Sequence, residues 1–323
     1  MMKKTGIKVI AIVLVLLSFF LMAVGSGSTT ESSETGGTAE VSSTYSESGS
    51  SDVSKGKSES TAVVEEIIAS EPTYTISDEI LVNDENCVFK IIEAKDDSLW
   101  GFTLKVYCEN KTSDKTLMFS LSYASVNGYM CDPYWATEVA AGKKANSEIN
   151  FDLDAVGVES PDEISFTLLV SDSDDWAADY FVHDKFTIYP TGLSADQIVI
   201  PERTTTSTEQ VIIDNETCTF VILDVDEDGM WGYTLDCYME NKTDKTGMFS
   251  WNDVSVNGFM VDPYWANEVA AGKRAYAEIS FYTSDFEDNG IETVEEIEFT
   301  LTMSDADDWF SDYFVDSTFI YVP

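Results

Sequence analysis

Hydrophobic and polar positions alternate with period two along most of residues 76–323. Tyr233-Thr234-Leu235-Asp236-Cys237-Tyr238-Met239-Glu240 is one such run, and Ile297-Glu298-Phe299-Thr300-Leu301-Thr302-Met303 is another. This is the signature of half-buried antiparallel strands, each with one face on a core and one in water. In the first half of this region the pattern predicts strands near 79–82, 87–93, 101–109, 117–126, 146–153, 163–170 and 184–189. No segment carries a sustained helical stripe. Asn127-Gly128 and Asn257-Gly258 sit between apolar stretches and predict tight hairpin turns. Seven short strands in about 110 residues predict an immunoglobulin-like sandwich.

The same text is written twice. Residues 100–145 and 231–275 align with one gap at Ser113 and share 32 identities in 45 positions. The segments SDSDDWAADYF (171–181) and SDADDWFSDYF (304–314) continue the match. A period near 130 is too long for a solenoid unit, so the chain is expected to hold tandem domains at 76–190 and 208–323. A linker at 191–207 joins them, marked by Pro201 and the run Thr204-Thr205-Thr206. The expected fold class is therefore all-β: two tandem Ig-like antiparallel β-sandwiches.

Two segments precede the repeats. Lys3, Lys4 and Lys8 lead into an apolar run over 9–24, followed by Gly25, Ser26 and Gly27. This is the layout of a secretory signal, with residues 1–25 as signal peptide or uncleaved N-terminal anchor. Leu21-Met22-Ala23 resembles the start of a lipoprotein signal, but Val24 stands where the lipid-accepting cysteine would be. Residues 26–75 are rich in Ser, Thr, Glu and Gly, and up to about Thr61 hold almost no large apolar residue, so a disordered stalk is expected. The bulk of the chain is thus expected outside the cytoplasmic membrane, at the cell surface or secreted, touching the membrane only through the N-terminal segment.

The order strand, Glu-Asn-Lys-Thr, Asp-Lys-Thr, strand, Val-Asn-Gly, Ala-Ala-Gly-Lys, strand occurs at 109–116, 126–128 and 140–143. It recurs at 240–246, 256–258 and 270–273. This order resembles the immunoprotective-antigen-like Ig-like extracellular domains of Gram-positive surface lipoproteins. The resemblance covers both repeats. It implies a surface β-sandwich of no assigned catalytic activity, and it supplies no functional residues.

Charge narrows the function further. The chain carries 18 Lys+Arg against 59 Asp+Glu, a formal net charge of −41, and a body this acidic repels phosphate backbones, which excludes nucleic acid as a partner. His183 is the one histidine and aligns with Asp316, so neither a His-rich metal site nor His-based catalysis is expected. The five cysteines leave two readings: bridges Cys87–Cys108 and Cys218–Cys237 with Cys131 free, or five small core residues. Asn110 and Asn241 begin Asn-Lys-Thr triplets that fit strand-end turns better than glycan sites.

Three constellations are candidates for function. Asp172, Asp174 and Asp175, with their copies Asp305, Asp307 and Asp308, could supply the oxygen ligands of a calcium site in each domain; no other cofactor is implied. The competing reading is an acidic loop that caps a short turn while Trp176 and Tyr180 pack inward. Asp224 to Gly229 matches the start of a calcium loop, but Leu235 replaces the closing Glu and a β-hairpin turn explains it better. Tyr134-Trp135 and Tyr264-Trp265, beside Trp100 and Trp231, form an aromatic set able to stack on sugar rings; alternatively one Trp fills each core. The expectation is a non-catalytic surface binding or adhesion module with a protein or glycan ligand. A structural spacer is the alternative, and a surface hydrolase built on paired carboxylates a remote one.

Overall fold

The computed structural model describes residues 73–97, 101–200, 203–308 and 310–323. Pro72–Pro323 form a compact unit with two hydrophobic cores of its own, the condition for independent folding. The signal segment, nearly all of the stalk, Trp100, Pro201 and Trp309 lie outside the described residues.

The first repeat holds β1 (Ser77–Asn83), β2 (Cys87–Asp97), β3 (Gly101–Asn110), β4 (Leu117–Val126), β5 (Tyr129–Met130), β6 (Ala136–Val139), β7 (Lys144–Phe151), β8 (Ile164–Asp172) and β9 (Val182–Ile188). One sheet runs β1-β2-β3-β7. The facing one runs β4-β8-β9, with β5 and β6 side by side on the far edge of β4. The chain crosses between sheets after β3, after β6 and after β7, the interleaving that defines an Ig-like sandwich. The second repeat repeats this order with β10 (Gln210–Asp214), β11 (Cys218–Gly229), β12 (Gly232–Asn241), β13 (Gly247–Val256), β14 (Phe259–Met260), β15 (Ala266–Val269), β16 (Arg274–Tyr282), β17 (Ile297–Asp305) and β18 (Val315–Tyr321). The fold is all-β, as the alternation predicts. The short strands β5 and β6 and their copies escape the pattern because two to four residues carry too little periodicity. A seven-residue helix, α1 (Thr283–Asn289), follows β16, where the first repeat has only a single 3-10 turn at Asp154–Val156.

Asn127 and Gly128 both take positive φ (46° and 82°), as do Asn257 and Gly258, so the Asn-Gly pairs form the predicted hairpin turns. The asparagines do a second job. Asn127 Nδ2 donates to Ser160 O while its Oδ1 accepts the N–H groups of Asp162 and Glu163. Asn257 makes the same three contacts with Thr293, Glu295 and Glu296. Each therefore fixes the entry into β8 or β17.

All five cysteines are free thiols, which corrects the bridged reading. Register is the reason. Cys87 lies opposite Asn110 and Cys108 opposite Phe89, so the two thiols are diagonal neighbours. Diagonal Cα atoms lie roughly 7–8 Å apart, beyond comfortable bridging distance. Cys218 lies opposite Asn241, four residues beyond Cys237 on β12, which places that pair further apart still.

Candidate functional site

The Glu-Asn-Lys-Thr and Asp-Lys-Thr stretches build the fold around the candidate residues. Asn110 is buried; its Nδ2 donates to Lys115 O and Val139 O, and its Oδ1 accepts from the Thr112 N–H and hydroxyl. Asn241 repeats all four bonds with Lys245, Val269 and Thr243. Lys111 reaches back to Asn83 and Asp84, as Lys242 does to Asp214 and Asn215, tying down the first hairpin of each domain.

The second lysine of each motif decides how the acidic segments are arranged. Lys115 Nζ donates to Asp172, and Lys245 Nζ to Asp305. Both aspartates are buried, and each accepts a backbone N–H two residues on, from Asp174 and Asp307. The lysine ammonium first, and these N–H groups after it, hold both carboxyls below the ordinary range. An ammonium thus occupies the position that a calcium ion would need at Asp172 and Asp305. Asp174, Asp175, Asp307 and Asp308 do not converge with them: among the described residues no group of three or more His, Cys, Asp or Glu could hold a metal ion. Asp224 to Gly229 forms one arm of a hairpin that closes at Gly229 and Gly232, with Met230 and Trp231 exposed at its tip.

The aromatic pairs split. Trp135 is half-buried, 6.0 Å from Phe89, and its Nε1 donates to Ser147 Oγ. Trp265 packs between Phe220 and Trp251. The residues just before them point outward: Tyr134 is 95% exposed and Tyr264 85%. Tyr264 also takes a left-handed φ of 49°, an uncommon conformation for a bulky residue. Its N–H is held by Asp262 Oδ1 at 2.8 Å, and beside it an open depression is lined by Met260, Asp285, Asp288 and Asn289. Trp176, Phe310 and Tyr313 are exposed as well. Inward packing of Trp176 is thereby corrected: the turn at Asp175 leaves it outside. Trp231 is likewise no core residue; Trp251, stacked 3.7 Å from Phe299, takes that place in the second domain.

A contact absent from the sequence reading joins the two domains. The β4–β5 turn of the first lies on β16 of the second, where the Arg274 N–H donates to Gly128 O at 2.9 Å. The Tyr129 ring stacks on Tyr276 at 5.7 Å and 2°. The Arg274 guanidinium lies over Tyr129, that of Arg203 over Tyr238, and Lys273 pairs with Glu163 at 3.1 Å. Val221 and Tyr238, on the outward face of the second domain's sheet, are buried into the first domain's core cluster. One sheet therefore runs through both domains. The signal was present in the sequence as differences between the copies: Val221, Arg274 and Tyr276 match Lys90, Lys144 and Asn146, while Tyr238 matches Tyr107 unchanged.

The molecule is a tandem pair of Ig-like sandwiches. No family model matches the chain, and no curated protein matches it. Among solved structures it is similar to a YadV chaperone, with 9% identity over 73% of this chain and 100% of that one and a TM-score of 0.20. It is also similar to a protein of unknown function from Porphyromonas gingivalis W83, with 10% identity over 74% and 98% and a TM-score of 0.15. At these TM-scores neither likeness bears on function.

Proposed function

We propose that this chain is a non-catalytic binding module, exported to the cell surface, that engages a glycan or protein ligand through Tyr134 and Tyr264. One observation carries the reading: the same Asp-Pro-Tyr-Trp corner in both domains packs its half-buried tryptophan against the core and holds its tyrosine almost wholly in water. A ring in that position adds nothing to the core, and in the second domain it sits on unfavourable backbone. Flat amphipathic rings of this kind serve as contact surfaces for sugars and peptides. Two such corners on one chain add avidity where both engage. The export reading rests on residues 1–25.

The test uses the unit 72–323, immobilised and probed with a printed glycan array and with intact bacterial cells. Tyr134→Ser plus Tyr264→Ser should keep the melting temperature and lose the retained probe. Equal retention by wild type and variant would sink the reading. The spacer reading gains support from the junction, where the Arg274–Gly128 backbone bond, the Tyr129–Tyr276 stack and the Lys273–Glu163 pair hold the two domains together. Failure of the wild-type unit to retain any probe would favour it.

A further inference from the structure

We propose that the chain associates head to tail with further copies of itself, repeating between molecules the contact that joins its two domains. That contact is heterologous: the Asn127-Gly128-Tyr129 turn of one domain sits on the strand beginning at Arg274 of the other. Because the domains are copies, each use of the contact leaves one turn and one receiving strand unused. The unused turn is Asn257-Gly258-Phe259 on the second domain. The unused receiver is the free edge of β7 on the first, beginning at Lys144.

Burial marks them as vacated positions. Gly128 and Tyr129 are buried, whereas Gly258 is exposed, Phe259 is 48% exposed and Met260 69%. Lys273 and Arg274 are partly covered, whereas Lys143, Lys144 and Asn146 are exposed. Two of the charged pairings carry over, whereas the buried Val221 does not, since Lys90 stands in its place. Lys143 and Glu296 match Lys273 and Glu163, the ion pair of the internal contact. Lys144 matches Arg274, the cation over Tyr129, and Phe259 supplies the ring. The Tyr129–Tyr276 stack does not carry over, since Asn146 replaces Tyr276.

Charge takes the place of that stack. Most lysines of the β1-β2-β3-β7 sheet pair within it, Lys90 with Asp78, Lys105 with Glu93 and Lys144 with Glu109, so the face as a whole is not basic; Lys143 and Lys144 nevertheless stand exposed at its β7 edge. Beside the unused turn stand Asp285 and Asp288, which line the depression at Met260, and Glu295 and Glu296, whose N–H groups donate to Asn257. Lys143 and Lys144 meeting this acidic end would be a local charge match, and one sensitive to salt. A contact that does not close on itself yields open chains of molecules. The internal contact is favoured by its 17-residue linker, which holds the partners together; the contact between copies lacks that tether and is correspondingly weaker.

Sedimentation velocity from micromolar to millimolar concentration tests this on the full chain in mild detergent and on the unit 72–323. Low salt should raise the sedimentation coefficient steadily past that of a dimer, and high salt should return it to monomer. Phe259→Asp blocks the turn and Lys143→Glu plus Lys144→Glu blocks the receiver. Each variant alone should remain monomeric with an unchanged melting temperature, and their mixture should form a dimer and stop there. Overturning results are a monomer at every concentration, a closed dimer that survives both variants, or a mixture that stays monomeric.

Discussion

At the residue scale, paired differences between the copies show how tightly each core is filled. A Cβ on Gly247 would overlap Met303 Cε. The matching residues of the first domain are Leu117 and Val170, the same volume divided differently. Gly247→Leu alone should therefore overpack the second core and cost about 1–3 kcal/mol. Adding Met303→Val should return most of that loss, and urea unfolding of the two single variants and the double variant measures the coupling. Tyr233 gives the opposite sign. Its hydroxyl is buried without a hydrogen-bond partner, and the first domain carries Phe102 there. Tyr233→Phe removes an unsatisfied polar atom and should raise stability by about 1 kcal/mol in the same assay.

At the element scale, the buried asparagines work as struts between strands. Asn241 bridges the β12–β13 connection to the end of β15. Asn241→Ala removes all four of its bonds, one of them to the buried Val269 O, and should cost roughly 3 kcal/mol, read from the shift in urea midpoint. Cys108 and Cys237 lie on the strands that carry Asn110 and Asn241, Cys87 and Cys218 on the neighbouring strands, and Cys131 between β5 and β6. Burial pushes the Cys87, Cys108 and Cys131 thiols up to about 12 and Cys218 to about 11, so alkylation of the folded protein should be slow, with half-buried Cys131 reacting first. Denaturation without reductant should expose five alkylatable thiols by mass spectrometry; three or fewer would show a bridge. The long strands were legible because eight or more residues of alternation leave one solution, and the Asn-Gly turns because few residues tolerate two positive φ angles in a row. The acidic segment was misleading for a physical reason. Asp172 and Lys115 are 57 residues apart in the chain, so the sequence displays the carboxylates and hides the ammonium that satisfies them. The division of labour within Tyr-Trp was hidden similarly, since which ring faces the core depends on how the Pro133 and Pro263 corners turn.

At the scale of the whole molecule, the junction between domains gathers carboxylates of both. Tyr123 and Asp132 come from the first domain, Glu268 and Asp307 from the second. Burial raises the Glu268 carboxyl, the Tyr123 hydroxyl pulls it partly back, and Asp307 and Asp132 raise it again. Asp132 is an exposed residue, but the chain packed beside its carboxyl desolvates it and lifts it to about 6, against the pull of the Ala124 N–H. A carboxyl raised in the folded state costs stability above its folded value, and that cost fades as the pH falls toward its ordinary value. Asp172 and Asp305 run the other way: their stabilising pairs with Lys115 and Lys245 persist above the ordinary range and are lost as the pH falls through their lowered values. Stability should therefore rise from pH 7.5 to about pH 5 as the junction protonates, and fall below about pH 4 as the lysine pairs break. Thermal melts across that range test the sequence of effects. Asp132→Asn plus Glu268→Gln should flatten the gain between pH 7.5 and 5 and leave the acid loss in place. A gain that survives both substitutions would assign it to the relief of the general −41 charge instead of to the junction.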